Sequence, residues 1–134
     1  MNLIQIRSLY LIAFSTFKST IIPGTNENHK TKLDNRIEWA QELGMKQMIL
    51  STFWLPNSST VDDYHRAAGE LNIMAEKTDS AGIQMGFHNH HMEFEEIDGE
   101  LIYDALLDEF DPDLVKMQFQ VAVVNIGSRD CGLG

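Results

Sequence analysis

The segment Gly86-Phe87-His88-Asn89-His90-His91-Met92-Glu93-Phe94-Glu95-Glu96 gathers three of the chain's five histidines and three carboxylates. It follows an apolar run that reads as a buried strand, and no other stretch is as chemically loaded. Strand periodicity sends Ile83, Met85 and Phe87 to one face and Gln84, Gly86, His88 and His90 to the other. Imidazoles two residues apart on a strand have Cα atoms roughly 6 to 7 Å apart, a spacing that suits one metal ion or one small polar ligand. With carboxylates close behind, the cluster suits a borderline or hard divalent ion such as zinc, manganese or cobalt. The plainer alternative stays open: histidines that only satisfy hydrogen bonds, beside a solvated loop of Glu93, Glu95 and Glu96.

Those residues need elements to hold them. The 134-residue chain, 43% apolar and 22% charged, has the composition of one globular domain with its own core, taken here as residues 1–134. Twenty acidic against ten basic side chains leave a formal charge of -10, which repels phosphate backbones and anionic membranes and argues against both as partners. A DNA-repair role is disfavoured on the same ground. The single cysteine, Cys131, excludes an internal disulfide and any cysteine-based zinc module. A cytoplasmic location is therefore expected. The apolar run after Arg7, Ser8 to Phe17, also fits a short signal peptide, but its aromatic and β-branched residues are read as a strand.

A strand over Leu9 to Phe14 is followed by turn formers in Ile22 to Asn28. The spacing of Leu33, Ile37, Ala40 and Leu43 then marks the apolar face of a helix that ends at Gly44. Met45 to Leu50 reads as a second strand, and its exit carries Trp54, a residue that would line a pocket or plug the core. Thr60 with Asp63 starts a helix with the stripe Tyr64, Ala67, Ala68, Leu71, Met74 and Ala75, and Gly82 lies past its end. The third strand is Ile83 to His90. Beyond an acidic loop, Asp98-Gly99 turns the chain into a helix with Leu101, Ile102, Ala105 and Leu106 inside, stopped at Asp111-Pro112. The fourth strand, Leu114 to Val124, alternates Val115, Met117, Phe119 and Val121 with Lys116, Gln118 and Gln120.

Strands alternating with helices mean an α/β fold of (β/α) repeats on a parallel sheet. No glycine fingerprint follows the first strand, which weakens the dinucleotide-binding alternative. The polar inner faces favour a TIM barrel, whose sites lie at the C-terminal strand ends, where His88, His90, Glu93 and Trp54 fall. Four strands make a partial TIM barrel, about half of the eight-stranded, roughly 250-residue whole. Its open edges invite pairing with a second copy, so a homodimer is expected.

Gly86-Phe87-His88-Asn89-His90-His91-Met92-Glu93-Phe94, then Asp98-Gly99, a helix, and Asp111-Pro112 through Gln120, resembles the sugar phosphate isomerase/epimerase family of xylose-isomerase-like TIM barrels. The likeness runs from about Leu33 to Gly127. It implies an isomerase or epimerase of carbohydrate metabolism that moves a proton next to the carbonyl of a sugar or polyol, with a divalent metal (Mn, Co, Zn or Mg) as cofactor. His88, His90 and Glu93 match the signature. The resemblance makes Glu93 and His88 the catalytic candidates, Glu93 and His90 the metal candidates, and His90, Trp54 and Gln120 the substrate-binding candidates. Many relatives place an Asp where this chain has Gln120, and later ligands would belong to strands after Gly127. The competing expectation is a non-catalytic sugar-binding or assembly half-barrel.

Overall fold

The computed structural model describes residues 10–12, 26–53 and 55–121. Trp54, Cys131, the tail from Gly127 and most of the expected signal-like run lie outside the described residues. In chain order the elements are β1 (Tyr10–Ile12), α1 (Asn26–Glu42), β2 (Gln47–Leu50), α2 (Val61–Ser80), β3 (Gln84–His88), a 3₁₀ turn (His91–Phe94), β4 (Glu96–Ile97), β5 (Glu100–Leu101), α3 (Ile102–Glu109) and β6 (Val115–Gln118). One sheet holds β1-β2-β3-β6 in that order, every pair parallel. Each strand thus lies beside its predecessor with a helix crossing between them, whereas a doubly wound sheet reverses its strand order at a switch point. The chain is an α/β protein of (β/α) repeats, an arc of about half a TIM barrel.

The helix ends explain why these segments stop where they do. Thr60 Oγ1 accepts a hydrogen bond from the Asp63 amide at 3.3 Å, and Asp63 Oδ2 accepts from the Thr60 amide at 2.9 Å. That reciprocal pair satisfies two donors which the first turn of α2 would otherwise leave unpaired. Gly44 and Gly82 take φ of +67° and +75°, so the Met45 and Ile83 amides reach back to Ala40 O and Thr78 O, each at 2.8 Å. Both closures are Schellman motifs, and both feed directly into a strand.

The core lies between the sheet and its helices. Met48, Leu50, Met85, Phe87 and Val115 meet Ala67, Leu71, Met74 and Ala75 of α2 and Ile102 and Leu106 of α3. Phe87 stacks on Phe53 with ring centroids 4.8 Å apart and tilts against Phe110 at 5.4 Å. Leu43, expected on the buried face of α1, is instead 62% exposed; α1 ends at Glu42 and the chain turns before that side chain reaches the core.

Strands are shorter than their apolar runs. β6 was expected over Leu114 to Val124 yet pairs only through Gln118, and Phe119 and Val121 are exposed. The reason is a competing set of contacts. Phe119 joins an aromatic group with Phe94 at 6.2 Å and Tyr103 at 5.9 Å, and the backbone at residue 120 is bound by a side chain, described below. The acidic loop likewise contains an unexpected hairpin of β4 and β5. Asp98 and Gly99 both have positive φ, 54° and 84°, as the tight turn of a two-residue hairpin demands. No helix among the described residues is long and apolar enough to cross a membrane.

Candidate functional site at the C-terminal end of the sheet

His88 is the last residue of β3, and three neighbouring residues fix it. Its Nε2 lies 2.9 Å from Gln120 Oε1; since that oxygen only accepts, Nε2 is the donor. Asn89 is fully buried and holds residue 120 from both sides: its Oδ1 accepts from the Gln120 amide at 2.8 Å and its Nδ2 donates to Gln120 O at 3.4 Å. A side-chain amide therefore replaces the sheet ladder where β6 ends. The His90 ring stands nearly perpendicular to the His88 ring, centroids 5.2 Å apart.

Among the described residues, the buried side-chain polar atoms lacking any hydrogen-bond partner are Ser51 Oγ, His88 Nδ1 and His90 Nδ1. All three belong to the residues that leave β2 and β3 at the same end of the sheet. Buried polar atoms are ordinarily satisfied by protein or by ordered water, so these three are open to a polar partner.

Glu93 opens the 3₁₀ turn's last step and is 3% exposed. Its Oε2 accepts from the His90 amide at 2.6 Å. Burial holds this carboxyl above the usual carboxylate range, against the opposing pull of backbone hydrogen bonds at His90 and Glu93 and of the His90 and His91 rings. The side chain borders a cavity of about 230 Å³ whose buried lining is Thr52, Phe53 and Glu93 and whose exposed edge includes Asn57 and Met92. Tyr64, from the first turn of α2, completes it with Leu55. Its phenol is also raised, first by burial and then by the negative charges of Glu93 and Glu95.

The structure thus brings His88, His90 and Gln120 into one group, and joins Glu93 to it through the backbone of His90. The carboxyl itself faces the neighbouring cavity. Trp54 lies outside the described residues. Ser51, Asn89, Thr52 and Tyr64 were not singled out from the sequence as site residues; Tyr64 was counted in the apolar stripe of α2, and only its hydroxyl hinted otherwise.

The expected divalent ion meets an obstacle here. His88 Nδ1 and His90 Nδ1 offer two nitrogens, but no set of three His, Cys, Asp or Glu suited to a metal occurs among the described residues. Three protein ligands are usual even at an open catalytic centre. Glu93 has one oxygen committed to a backbone amide, and Gln120 is neutral. These residues do not make up a metal site by themselves.

No protein-family model matches the chain, and no curated protein matches it. Among solved structures, a sugar phosphate isomerase/epimerase from Parabacteroides distasonis is similar, with 27% sequence identity, a TM-score of 0.60, and coverage of 82% of this chain and 43% of that one. This chain spans less than half the length of that protein. In tertiary structure as well as in its His-Asn-His-x-x-Glu-Phe segment, the chain resembles the sugar phosphate isomerase/epimerase family.

Proposed function

We propose that this chain carries part of a sugar isomerase or epimerase site, in which Glu93 moves a proton on the carbon next to a carbonyl. The observation that carries the reading is the trio of buried, unpartnered polar atoms, Ser51 Oγ, His88 Nδ1 and His90 Nδ1, at the strand ends, with a buried carboxyl in the adjoining cavity, so that a substrate would have to span the two. A carboxyl raised towards neutrality by burial is suited to take a proton and return it. Oε1, the oxygen not bonded to the His90 amide, would accept the carbon-bound proton. The C–H electron pair then forms the carbon–carbon double bond of an enediolate while the carbonyl π pair moves onto oxygen. The Ser51 hydroxyl donates to that oxygen, and the unpartnered Nδ1 atoms of His88 and His90 hydrogen-bond substrate hydroxyls, which can either donate or accept. Return of the proton to the adjacent carbon, with the proton of that carbon's neighbouring hydroxyl passing to the former carbonyl oxygen as the new carbonyl forms, isomerises the sugar; epimerisation needs a second proton donor on the opposite face. A divalent ion would supply Lewis acidity in such chemistry, but its ligand set is not formed by these residues and no step is routed through it.

The test is exchange in deuterium oxide. Incubating the chain with D-xylose, D-fructose or ribose 5-phosphate should place deuterium on the carbon next to the carbonyl, read by mass spectrometry, and Glu93→Gln should slow it by about a hundredfold or more. Exchange no faster than in a protein-free blank overturns the catalytic reading.

A second reading, a non-catalytic sugar-binding or assembly half-barrel, is favoured by Gln120, a neutral residue locked to both His88 and Asn89. It expects sugar binding without exchange. Under either reading β1 and β6 are the edges of the sheet among the described residues, and a second copy paired there would complete eight strands. Sedimentation should then show a mass that rises with protein concentration.

A further inference from the structure

The cavity beside Glu93 is lined by side chains of two kinds. Phe53, Leu55 and Met92 give it apolar walls, while Thr52, Asn57 and Tyr64 bring a hydroxyl, an amide and a phenol. Each of those three groups both donates and accepts hydrogen bonds, the combination that a hydroxyl on a carbon skeleton matches. Its 230 Å³ corresponds to the liquid volume of about eight waters, enough for a molecule of about five carbons and too little for a nucleotide.

Charge narrows the class of ligand. Glu93 is the charged group on the wall, and it lies near enough, with Glu95, to raise the Tyr64 phenol. At Tyr64 a phosphate or carboxylate meets the like charges of Glu93 and Glu95, whereas an uncharged hydroxylated chain does not.

We propose that this cavity is a subsite for the uncharged, polyhydroxylated part of a sugar or polyol, held by Tyr64 and Asn57 beside Glu93. The proposal rests on the sugar-isomerase reading of Glu93 and goes further, by assigning two binding residues outside the histidine segment and by excluding a phosphate end from this position.

The test uses the whole chain with carbon-labelled methionine methyl groups, the Met92 signal being identified by its loss in Met92→Leu. Xylitol, D-xylose and ribose 5-phosphate are titrated separately. Xylitol and D-xylose are expected to shift the Met92 signal saturably, with a Kd on the order of millimolar, and ribose 5-phosphate to act there about tenfold more weakly. Tyr64→Phe should weaken xylitol about threefold while the core Met48 and Met85 signals stay in place. Asn57→Ala, at an exposed position, should do the same without any question of folding. The proposal is overturned if ribose 5-phosphate matches xylitol at Met92, if both variants bind xylitol unchanged, or if Met92 fails to respond to roughly 100 mM xylitol. Deuterium exchange with no Met92 response sinks the subsite and leaves the catalytic reading standing; a saturable Met92 response with no exchange does the reverse.

Discussion

On one side of β3, Met85 and Phe87 are buried against helices and aromatic rings. On the other side, Gln84 gives its amide hydrogens to Leu114 O at 2.8 Å and Met85 O at 3.1 Å, and His88 is bound to Gln120. The register repeats this division across the sheet. Met48, Met85 and Val115 lie side by side on the apolar face, and Ile49, Gly86 and Lys116 on the other. The first face is held by shape and area, the second by placed hydrogen bonds and by one close approach. The two should fail in different ways.

Phe87→Ala attacks the apolar face and should have the largest effect. The ring is fully buried and touches two others, so its loss is expected to cost about 3–5 kcal/mol in urea unfolding. A cost well below that would mean that the two faces do not differ in kind. Gly86→Ala tests the close approach. An added Cβ would sit 2.6 Å from Ile49 Cδ1 and 3.1 Å from Lys116 O, a crowding expected to cost about 1–3 kcal/mol. Adding Ile49→Ala should recover only part of it, because the backbone oxygen cannot be trimmed; full recovery would show that the side chain alone set the limit.

Asn89→Ala removes the amide that holds residue 120. The freed backbone groups of residue 120 lose a partly buried partner, so the expected loss is about 1–3 kcal/mol, with faster hydrogen exchange at the Gln120 amide as its specific mark. Unchanged exchange there would contradict the clamp. Glu93→Gln should have the smallest effect and the opposite sign. Burial raises the folded pKa of this carboxyl, so the folded chain binds its proton more tightly than the unfolded chain does. Ionising it therefore costs stability, a cost absent below the unfolded pKa and complete once pH has risen past the folded one. The variant should melt a few degrees above the unmodified chain at about pH 8, with the gap closing towards about pH 4. A gap that widens in acid would place the carboxyl in a favourable ionised state instead.

Periodicity made the alternation of strands and helices legible, because burying one face leaves a repeat of two or of three to four residues wherever it occurs. The same rule overran at element ends. Leu43, Phe119 and Val121 continue their patterns in sequence, yet the helix or strand stops first and they stay at the surface. Among the candidate residues, His88, His90 and Glu93 were visible because three of the chain's five histidines fall together beside carboxylates in one short segment. Gln120 drew notice through the family resemblance, as the residue standing where many relatives have an Asp.

By itself the sequence settled the fold class, the apolar side of β3, and the capped and glycine-closed ends of α2. These depend on local spacing and side-chain chemistry, which the order of residues carries directly. Only the tertiary structure decided that Asn89 binds residue 120, that His88 faces Gln120 rather than Glu93, and that Glu93 opens towards Thr52 and Tyr64. Each of those contacts joins residues about thirty or more positions apart, and the partner is set by how neighbouring elements stack, a quantity no local pattern contains.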